Sequence, residues 1–326
     1  MSGQQKVVFE KFHGAGNDFI FIASDYLSNL TNIIQLKEFV KNICHRNKHI
    51  GADGVVFTNV TGEDTSLEIK ILIVNSDGSI PETCGNALRC LGLKLLLDQH
   101  WSGHGRVPVS RFIPSWLRSQ NDLINEEKFI LNNEIFAFLL AAKQNNIKYQ
   151  TEVEVAMGLE QIVKETTLNI NPYKKFAKVS PFINPVFVQL ANPHWVFYSE
   201  IFGNFTKKDF IEFGEYAQNS LRNFVSDYSV PKANIGMIWQ SDSNQHFHLV
   251  VYERGAGLTE CCGSGGVAAR VALEFYGKVE TTMQNVHFIM PGGDIYITEP
   301  HLLENANKQR VLIGPATYIC AGQFIS

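Results

Sequence analysis

Two cysteine-glycine steps, each followed by a run with helical spacing of apolar residues, constrain the fold of this chain most strongly. The first lies in "VNSDGSIPETCGNALRC" (residues 74–90) and the second in "YERGAGLTECCGSGGVAAR" (residues 252–270). In both segments turn-forming and small polar residues precede a run that has the pattern of a helix. The pattern places Cys84 and Cys262 at the N-termini of two helices.

The residues upstream of the two steps recur at matching distances. Asn75 and Glu253 each lie nine residues before the cysteine of their own half. Asn17 and Asn192, both in turns, precede the same cysteines by 67 and 70 residues. A chance recurrence of cysteine and glycine in loops would have to reproduce these offsets on both sides. The spacing therefore favours an internal duplication, with two halves built on one plan.

Both halves alternate strands with helices. Alternating apolar runs predict strands at 6–12, 67–75 and 246–253, and helical spacing predicts helices at 35–46 and 205–219. The fold class predicted is α+β. A length of 326 residues favours two domains over one.

Composition narrows the classes of partner. A formal charge of -4 and a pI near 6.2 give no basic field for nucleic acid or an anionic membrane surface. We find no apolar run that predicts a signal peptide or a membrane span. Six cysteines are few for this length and two are adjacent, so a disulfide framework is not expected. We expect a cytoplasmic protein with reduced thiols and a small-molecule ligand.

Cysteine at a helix N-terminus suits acid-base chemistry. The free N–H groups and partial positive charge of a helix N-terminus stabilise a thiolate and bind a carboxylate. Removal of the α-proton of an amino acid places charge on its carboxylate, which such donors stabilise. One thiolate can take the proton while one thiol returns it to the opposite face. The donors predicted are the amides of Gly85, Asn86, Gly263 and Ser264.

The other cysteines favour a structural role. Cys44, Cys90 and Cys320 lie in apolar runs and read as small packed side chains. Cys261 is expected to pack away from the site if Cys262 points into it. No Cys-x-x-Cys or pair of histidines at ligand spacing accompanies the two steps, so we predict no metal site.

The sequence resembles a known family, the diaminopimelate epimerases, which need no pyridoxal phosphate and no other cofactor. The resemblance rests on blocks in the same order along nearly the whole chain: "FEKFHGAGNDF", "NKHIGADGVV", "VNSDGSIPETCGNALRC", "ANPHWV", "ANIGM", "YERGAGLTECCGSG", "PGGD" and "GPATYICAG". It implies two pseudo-symmetric domains, each a curled, barrel-like mixed β-sheet around a central helix, with the active site in the cleft between them. We predict an N-terminal half at 1–158, to which a C-terminal strand at 311–326 returns, and a C-terminal half at 159–310.

The resemblance also implies roles for individual residues. Cys84 and Cys262 would form the acid-base pair, and His194 would support the site by hydrogen bonding. The substrate would be bound by Asn17, Asn75, Gly85, Asn86, Asn192, Asn234, Glu253, Arg254, Gly263 and Ser264. Arg254 suits the distal carboxylate of a diamino diacid and Glu253 its distal ammonium. By analogy the family also implies a homodimer.

The function predicted is interconversion of LL- and meso-diaminopimelate in the synthesis of lysine and peptidoglycan precursors. One alternative is a related racemase of proline, hydroxyproline or histidine, which would leave the distal charges unpaired. A second is a non-catalytic amino-acid-binding or thiol redox protein that uses Cys261 and Cys262 as a dithiol. Two features depart from the family pattern: Ala191 replaces a usual glycine, and the chain is longer near 101–127.

Overall fold

A computed structural model divides the chain into two compact units. The first contains Met1–Val155 and Pro315–Ser326, and the second Ala156–Gly314. The structure describes residues 6–63, 66–81, 83–102, 107–118, 137–144, 150–157, 161–165, 185–190, 192–199, 205–221, 233–241, 246–298 and 310–325. Outside the described residues lie the boundary predicted at residue 158, Ala191, and residues 103–106 and 119–127 of the predicted insertion.

The described secondary structure is mainly strands. The strands are β1 (Lys6–Gly14), β2 (Asn17–Ala23), β3 (Gly54–Thr61), β4 (Glu68–Asn75), β5 (Val107–Arg111), β6 (Ala137–Gln144), β7 (Gln150–Ala156), β8 (Gln161–Glu165), β9 (Val186–Gln189), β10 (His194–Ser199), β11 (Asn234–Gln240), β12 (His246–Glu253), β13 (Gly257–Thr259), β14 (Asn285–Met290), β15 (Gly293–Thr298) and β16 (Val311–Ile325). The helices are α1 (Ile33–Ile43), α2 (Gly85–Leu97), α3 (Ser115–Arg118), α4 (Lys207–Leu221) and α5 (Gly263–Phe275), with a 3-10 helix at Ser24–Asn29.

The first unit is a mixed sheet in the order β1-β2-β3-β4-β5-β6. Strands β2 and β3 run parallel and are joined through α1, as are β4 and β5 through α2, while the other neighbours are antiparallel. Helix α2 packs against β1, β2 and β6. Because strands from both ends of this order contact one helix, the sheet curls around α2.

The second unit repeats this connectivity. Its strands follow the order β9-β10-β11-β12-β14-β15, with β10 parallel to β11 through α4 and β12 parallel to β14 through α5. Helix α5 contacts β9, β10, β11, β12 and β15. The predicted fold class, α+β with two similar halves each built around a helix, is confirmed. Strand β16 pairs with β15 near its start and with β1 near its end.

The two central helices differ in composition from the peripheral ones. Helices α2 and α5 are buried on nearly every side, as expected for a helix enclosed by a sheet. Helices α1 and α4 are amphipathic and begin with side-chain caps: Asn32 accepts from the Gln35 N–H at 2.9 Å, and Thr206 and Asp209 bond reciprocally. None of the described helices has the length and apolar character needed to cross a bilayer.

Candidate active site

Helices α2 and α5 begin at the two predicted cysteines. Cys84 is the N-cap of α2, with φ -143° and ψ 99°, and Cys262 is the N-cap of α5, with φ -131° and ψ 108°. Each helix is 13 residues long. An N-cap residue leaves the helical conformation and lies beside the unpaired N–H groups of the first turn. Both cysteines therefore lie at helix N-termini, as the sequence pattern predicts.

The Cys262 thiol is buried and hydrogen-bonded. Its Sγ accepts from the Gly265 N–H at 3.4 Å and lies 3.5 Å from Ser264 Oγ. Burial raises the pKa of Cys262 well above its ordinary value, and the charge of Glu253 raises it further. The bonds from Ser264 and Gly265 lower the pKa only in part. The helix N-terminus alone predicts a stabilised thiolate, but here desolvation outweighs it and Cys262 is a neutral thiol at neutral pH.

A chain of polar groups extends from Cys262 into the sheet. His194 Nε2 lies 3.0 Å from Ser264 Oγ and 3.4 Å from Asn234 Nδ2. The Arg254 backbone N–H donates to Asn234 Oδ1 at 2.8 Å, which orients the amide so that its donor faces the imidazole. Burial lowers the pKa of His194 to about 3, so the ring is neutral. The prediction that His194 supports the site by hydrogen bonding agrees with this position.

Parallel pairing explains why these groups meet. His194 begins β10 and Asn234 begins β11, and the two residues are partners in the parallel ladder. The same ends of parallel strands lie at one edge of the sheet, so the Asn234 amide lies beside the His194 ring, which contacts Ser264 in the first turn of α5. No sequence pattern pairs these two residues, which lie 40 positions apart. Asn192, half-buried, lies in the turn that leads into β10.

Glu253 and Arg254 lie at the β12–β13 hairpin. Glu253 ends β12 and pairs with Gly257, and Arg254 begins the turn; both are half-buried. Thr259 Oγ1 donates to Glu253 Oε1 at 2.6 Å and fixes that carboxylate. Thr259 was not among the predicted site residues, although its place six residues beyond Glu253 in a short hairpin is a signal that could have identified it.

In the first unit, Asn17 begins β2 beside a network of charged groups. The Arg46 guanidinium donates to Asp18 at 2.7 and 3.1 Å and to Asp53 at 2.7 Å, and Lys11 Nζ lies 2.9 Å from Asp18. Burial would raise the pKa of Asp18, but the bonds from Arg46 and Lys11 outweigh it and hold the pKa below its ordinary value. The network fixes the start of β2. Asn17 Oδ1 is buried and accepts no hydrogen bond from a described residue.

Asn75 and the first turn of α2 complete the first unit's predicted residues. Asn75 ends β4, and its amide donates to Ser79 Oγ at 3.0 Å within a tight turn. Gly85 and Asn86 are buried at the start of α2. The β1–β2 turn lies directly against this helix, because a Cβ on Gly14 would be 3.1 Å from the Asn86 carbonyl oxygen. The loop that holds Asn17 is therefore packed on the helix that begins after Cys84.

The other four cysteines differ in burial. Cys44 and Cys90 are buried, and burial raises the pKa of Cys44 to about 12. Cys261 is buried with its Sγ 3.6 Å from Met290 Sδ. Cys320 is exposed on β16, so its prediction as a packed side chain was wrong: the apolar pattern of a strand with a solvated face resembles that of a buried one. No metal-binding group of three His, Cys, Asp or Glu occurs among the described residues.

Comparison with known proteins finds similarity to one enzyme family. The family model described as diaminopimelate epimerase matches residues 9–107. The diaminopimelate epimerase of Natranaerobius thermophilus is 25% identical, and the match covers 97% of each chain. The diaminopimelate epimerase of Desulfitobacterium hafniense is 28% identical over 96% of each chain.

The chain is similar in sequence to the diaminopimelate epimerases.

Solved structures of other proteins show a similar fold. A hydroxyproline epimerase from Agrobacterium vitis with bound trans-4-hydroxy-L-proline has a TM-score of 0.63 at 11% identity, covering 100% of this chain and 94% of the other. A phenazine biosynthesis protein of the PhzF family from Bacillus anthracis has a TM-score of 0.63 at 12% identity, covering 99% and 100%. These likenesses confirm the fold, and the similarity to the epimerases confirms the predicted enzyme class, an isomerase.

Proposed function

We propose that this protein interconverts LL- and meso-diaminopimelate and that Cys84 and Cys262 exchange the α-proton. The observation that supports the proposal most strongly is the matched pair of cysteine N-caps on two equal helices. Similarity over almost the whole length of named diaminopimelate epimerases supports the choice of substrate. Such an activity would serve the synthesis of lysine and peptidoglycan precursors.

The proposed reaction balances without a cofactor. One cysteine, as thiolate, removes the α-proton, and the electron pair of the broken C–H bond remains on the α-carbon and its carboxylate. The other cysteine, as thiol, delivers its proton to the opposite face of that carbon. The first cysteine ends as thiol and the second as thiolate, so solvent exchange resets the pair. Because its pKa is raised, Cys262 is the thiol of the resting enzyme in this proposal.

The carboxylate at the reacting centre is the group that most needs stabilisation. N–H groups in the first turns of α2 and α5, including those of Asn86 and Ser264, are donors of the kind that stabilise charge developing on a carboxylate. In this proposal Glu253, held by Thr259, binds the distal ammonium, and Arg254 binds the distal carboxylate. Asn17 Oδ1, which accepts no hydrogen bond from the part of the chain that the structure describes, suits an ammonium group. The predicted homodimer and cytoplasmic location remain predictions.

The experiment that tests the proposal is proton NMR of LL-diaminopimelate with the purified protein in deuterated buffer containing reductant. We expect the α-proton signal to decline as the meso isomer forms, with the stereochemistry confirmed by chiral chromatography. Retention of the α-proton by folded protein would exclude diaminopimelate as the substrate. Proline, hydroxyproline and histidine, tested in parallel, would then identify a related racemase, and thiol exchange without loss of an α-proton would identify a redox protein.

A further inference from the structure

A glycine in the interior of helix α4 lies directly against an aromatic ring of the sheet. A Cβ on Gly214 would be 2.3 Å from Tyr252 Cγ and 2.5 Å from Tyr252 Cβ. These atoms are the root of the side chain and cannot swing away as a flexible tip could. Among ordinary residues other than proline, glycine is the poorest helix former, so its presence here needs a reason. The close approach of the Tyr252 ring supplies one.

Tyr252 joins helix α4 to the hairpin that presents the predicted recognition residues. It pairs with Ile235 in β11 and with Leu258 in β13, and it packs together with Leu258 on the apolar cluster that includes α4. The root of the side chain lies against Gly214, and burial raises the pKa of the phenol, as does the charge of Glu215 in the same helix. The Tyr252 side chain thus lies along α4.

The next two residues of the chain bear the charges of the site. Successive side chains of a strand point to opposite faces, so Tyr252 faces the helix while Glu253 faces the other way. The Glu253 carboxylate is held by Thr259 at 2.6 Å, and its charge, after burial, helps to raise the pKa of Cys262. The Arg254 N–H orients Asn234. A shift of Tyr252 would therefore move Glu253 and Arg254, and through the Arg254 N–H it would also move the Asn234 amide.

We propose that Gly214 and Tyr252 are positioning residues that fix the β12–β13 hairpin and so determine how well Glu253 and Arg254 recognise the distal end of the substrate. This inference rests on the proposed function. The ring of Tyr252 acts as a spacer between α4 and β12. Because Gly214 has no side chain, the ring can lie directly against the helix backbone. Neither residue needs to contact the substrate, because their effect passes through the backbone of residues 252–254.

The test is steady-state kinetics of Gly214→Ala on LL-diaminopimelate. The added methyl should displace Tyr252 and raise KM about tenfold, the loss expected for one weakened charge-assisted contact, while kcat changes less. Damage to folding alone would lower the active fraction, and hence the apparent kcat, without changing KM. Asn219→Ala, an exposed change in the same helix, is the matched control and should have wild-type constants.

A second variant keeps the inference testable if Gly214→Ala does not fold. Tyr252→Leu makes room at the helix and removes the spacer, so it should also raise KM, and adding it to Gly214→Ala should give less than the product of the single effects. Wild-type KM in Tyr252→Leu, or independent effects in the double variant, would overturn the positioning role. Absence of turnover by the wild-type enzyme would instead remove the proposed function on which the role rests.

Discussion

Helices α2 and α5 have the same N-cap residue, the same length and similar N-cap backbone geometry, but the thiols of the two N-caps lie in different surroundings. Cys262 is 5% exposed and is bonded to Ser264 and Gly265. Cys84 is half-buried, and its side chain does not cap the described helix. The second unit adds a polar chain through His194 and Asn234, whereas the first unit adds an ionic network around Asp18.

This difference shows that a repeated backbone does not give the two thiols the same burial or the same hydrogen bonds. The helix N-terminus favours a thiolate in both halves, but burial is a larger effect at Cys262 and keeps its proton bound. A two-base reaction needs one protonated and one deprotonated group at the outset. In the proposed reaction the buried Cys262 supplies the protonated group.

The largest effect should come from removing either thiol. Cys84→Ala and Cys262→Ala should each lower kcat for epimerisation by about 10³-fold or more, because each removes one of the two acid-base groups. Chiral analysis of the product measures the rate, and Cys320→Ser, an exposed cysteine, is the control. Near wild-type turnover in either alanine variant would show that the two helix ends are not equivalent in function.

The buried imidazole should make stability depend on pH. The folded pKa of His194 is about 3, below its unfolded value, so its contribution is complete above about pH 6.5 and is lost as pH falls toward 3. Within that window the loss is roughly 1.4 kcal/mol for each pH unit. Chemical denaturation from pH 7 to 4 should show the stability gap between wild type and His194→Asn narrowing. A gap that stays constant would mean that His194 is not buried as a neutral ring.

Removing the carboxylate of Asp18 should destabilise the first unit. Asp18→Asn leaves Arg46 and Lys11 without their shared partner, and we expect a loss of about 1–3 kcal/mol in the free energy of unfolding. Because the folded pKa of Asp18 is lowered, the loss is present above about pH 4 and disappears as pH falls below it. Asp25→Asn, an exposed change nearby, is the control. Equal stabilities of the two variants would contradict the network's role.

The smallest effect should come from the hydroxyl between Cys262 and His194. Ser264→Ala removes a bond that lowers the pKa of Cys262, so the pKa should rise further and alkylation of this thiol should need a higher pH. The rise in the pKa of Cys262 should correspond to about 1 kcal/mol, the contribution of one hydrogen bond. Mass spectrometry of iodoacetamide-labelled peptides measures it, with Cys84 in the same sample as reference. A shift to lower pH would contradict the account.

Much of the framework was predictable because it depends on local patterns. The strand predicted at 246–253 is β12, and the helix predicted at 205–219 is observed at Lys207–Leu221. Turn residues followed by helical spacing identified both cysteine N-caps. The matched offsets identified the duplication, which appears as the same order of parallel and antiparallel strands in both units.

The remaining features depend on contacts between residues far apart in the chain. The pairing of His194 with Asn234 follows from a parallel ladder, and the pKa of Cys262 follows from burial by surrounding strands. The contact between Gly214 and Tyr252 depends on the distance from helix to sheet. No local pattern encodes these quantities, so the sequence predicts the two cysteine N-caps but not the pKa of Cys262.

The most direct test of the two-base account is the fate of deuterium in the first minutes of reaction. LL-diaminopimelate is incubated with the enzyme in deuterated buffer, and the isomers are separated at low conversion and analysed by mass spectrometry. If one thiol removes the proton and the other delivers one from solvent, the meso product contains deuterium while the unreacted LL isomer does not. Deuterium entering the unreacted LL isomer as fast as the product would show that a single group serves both faces.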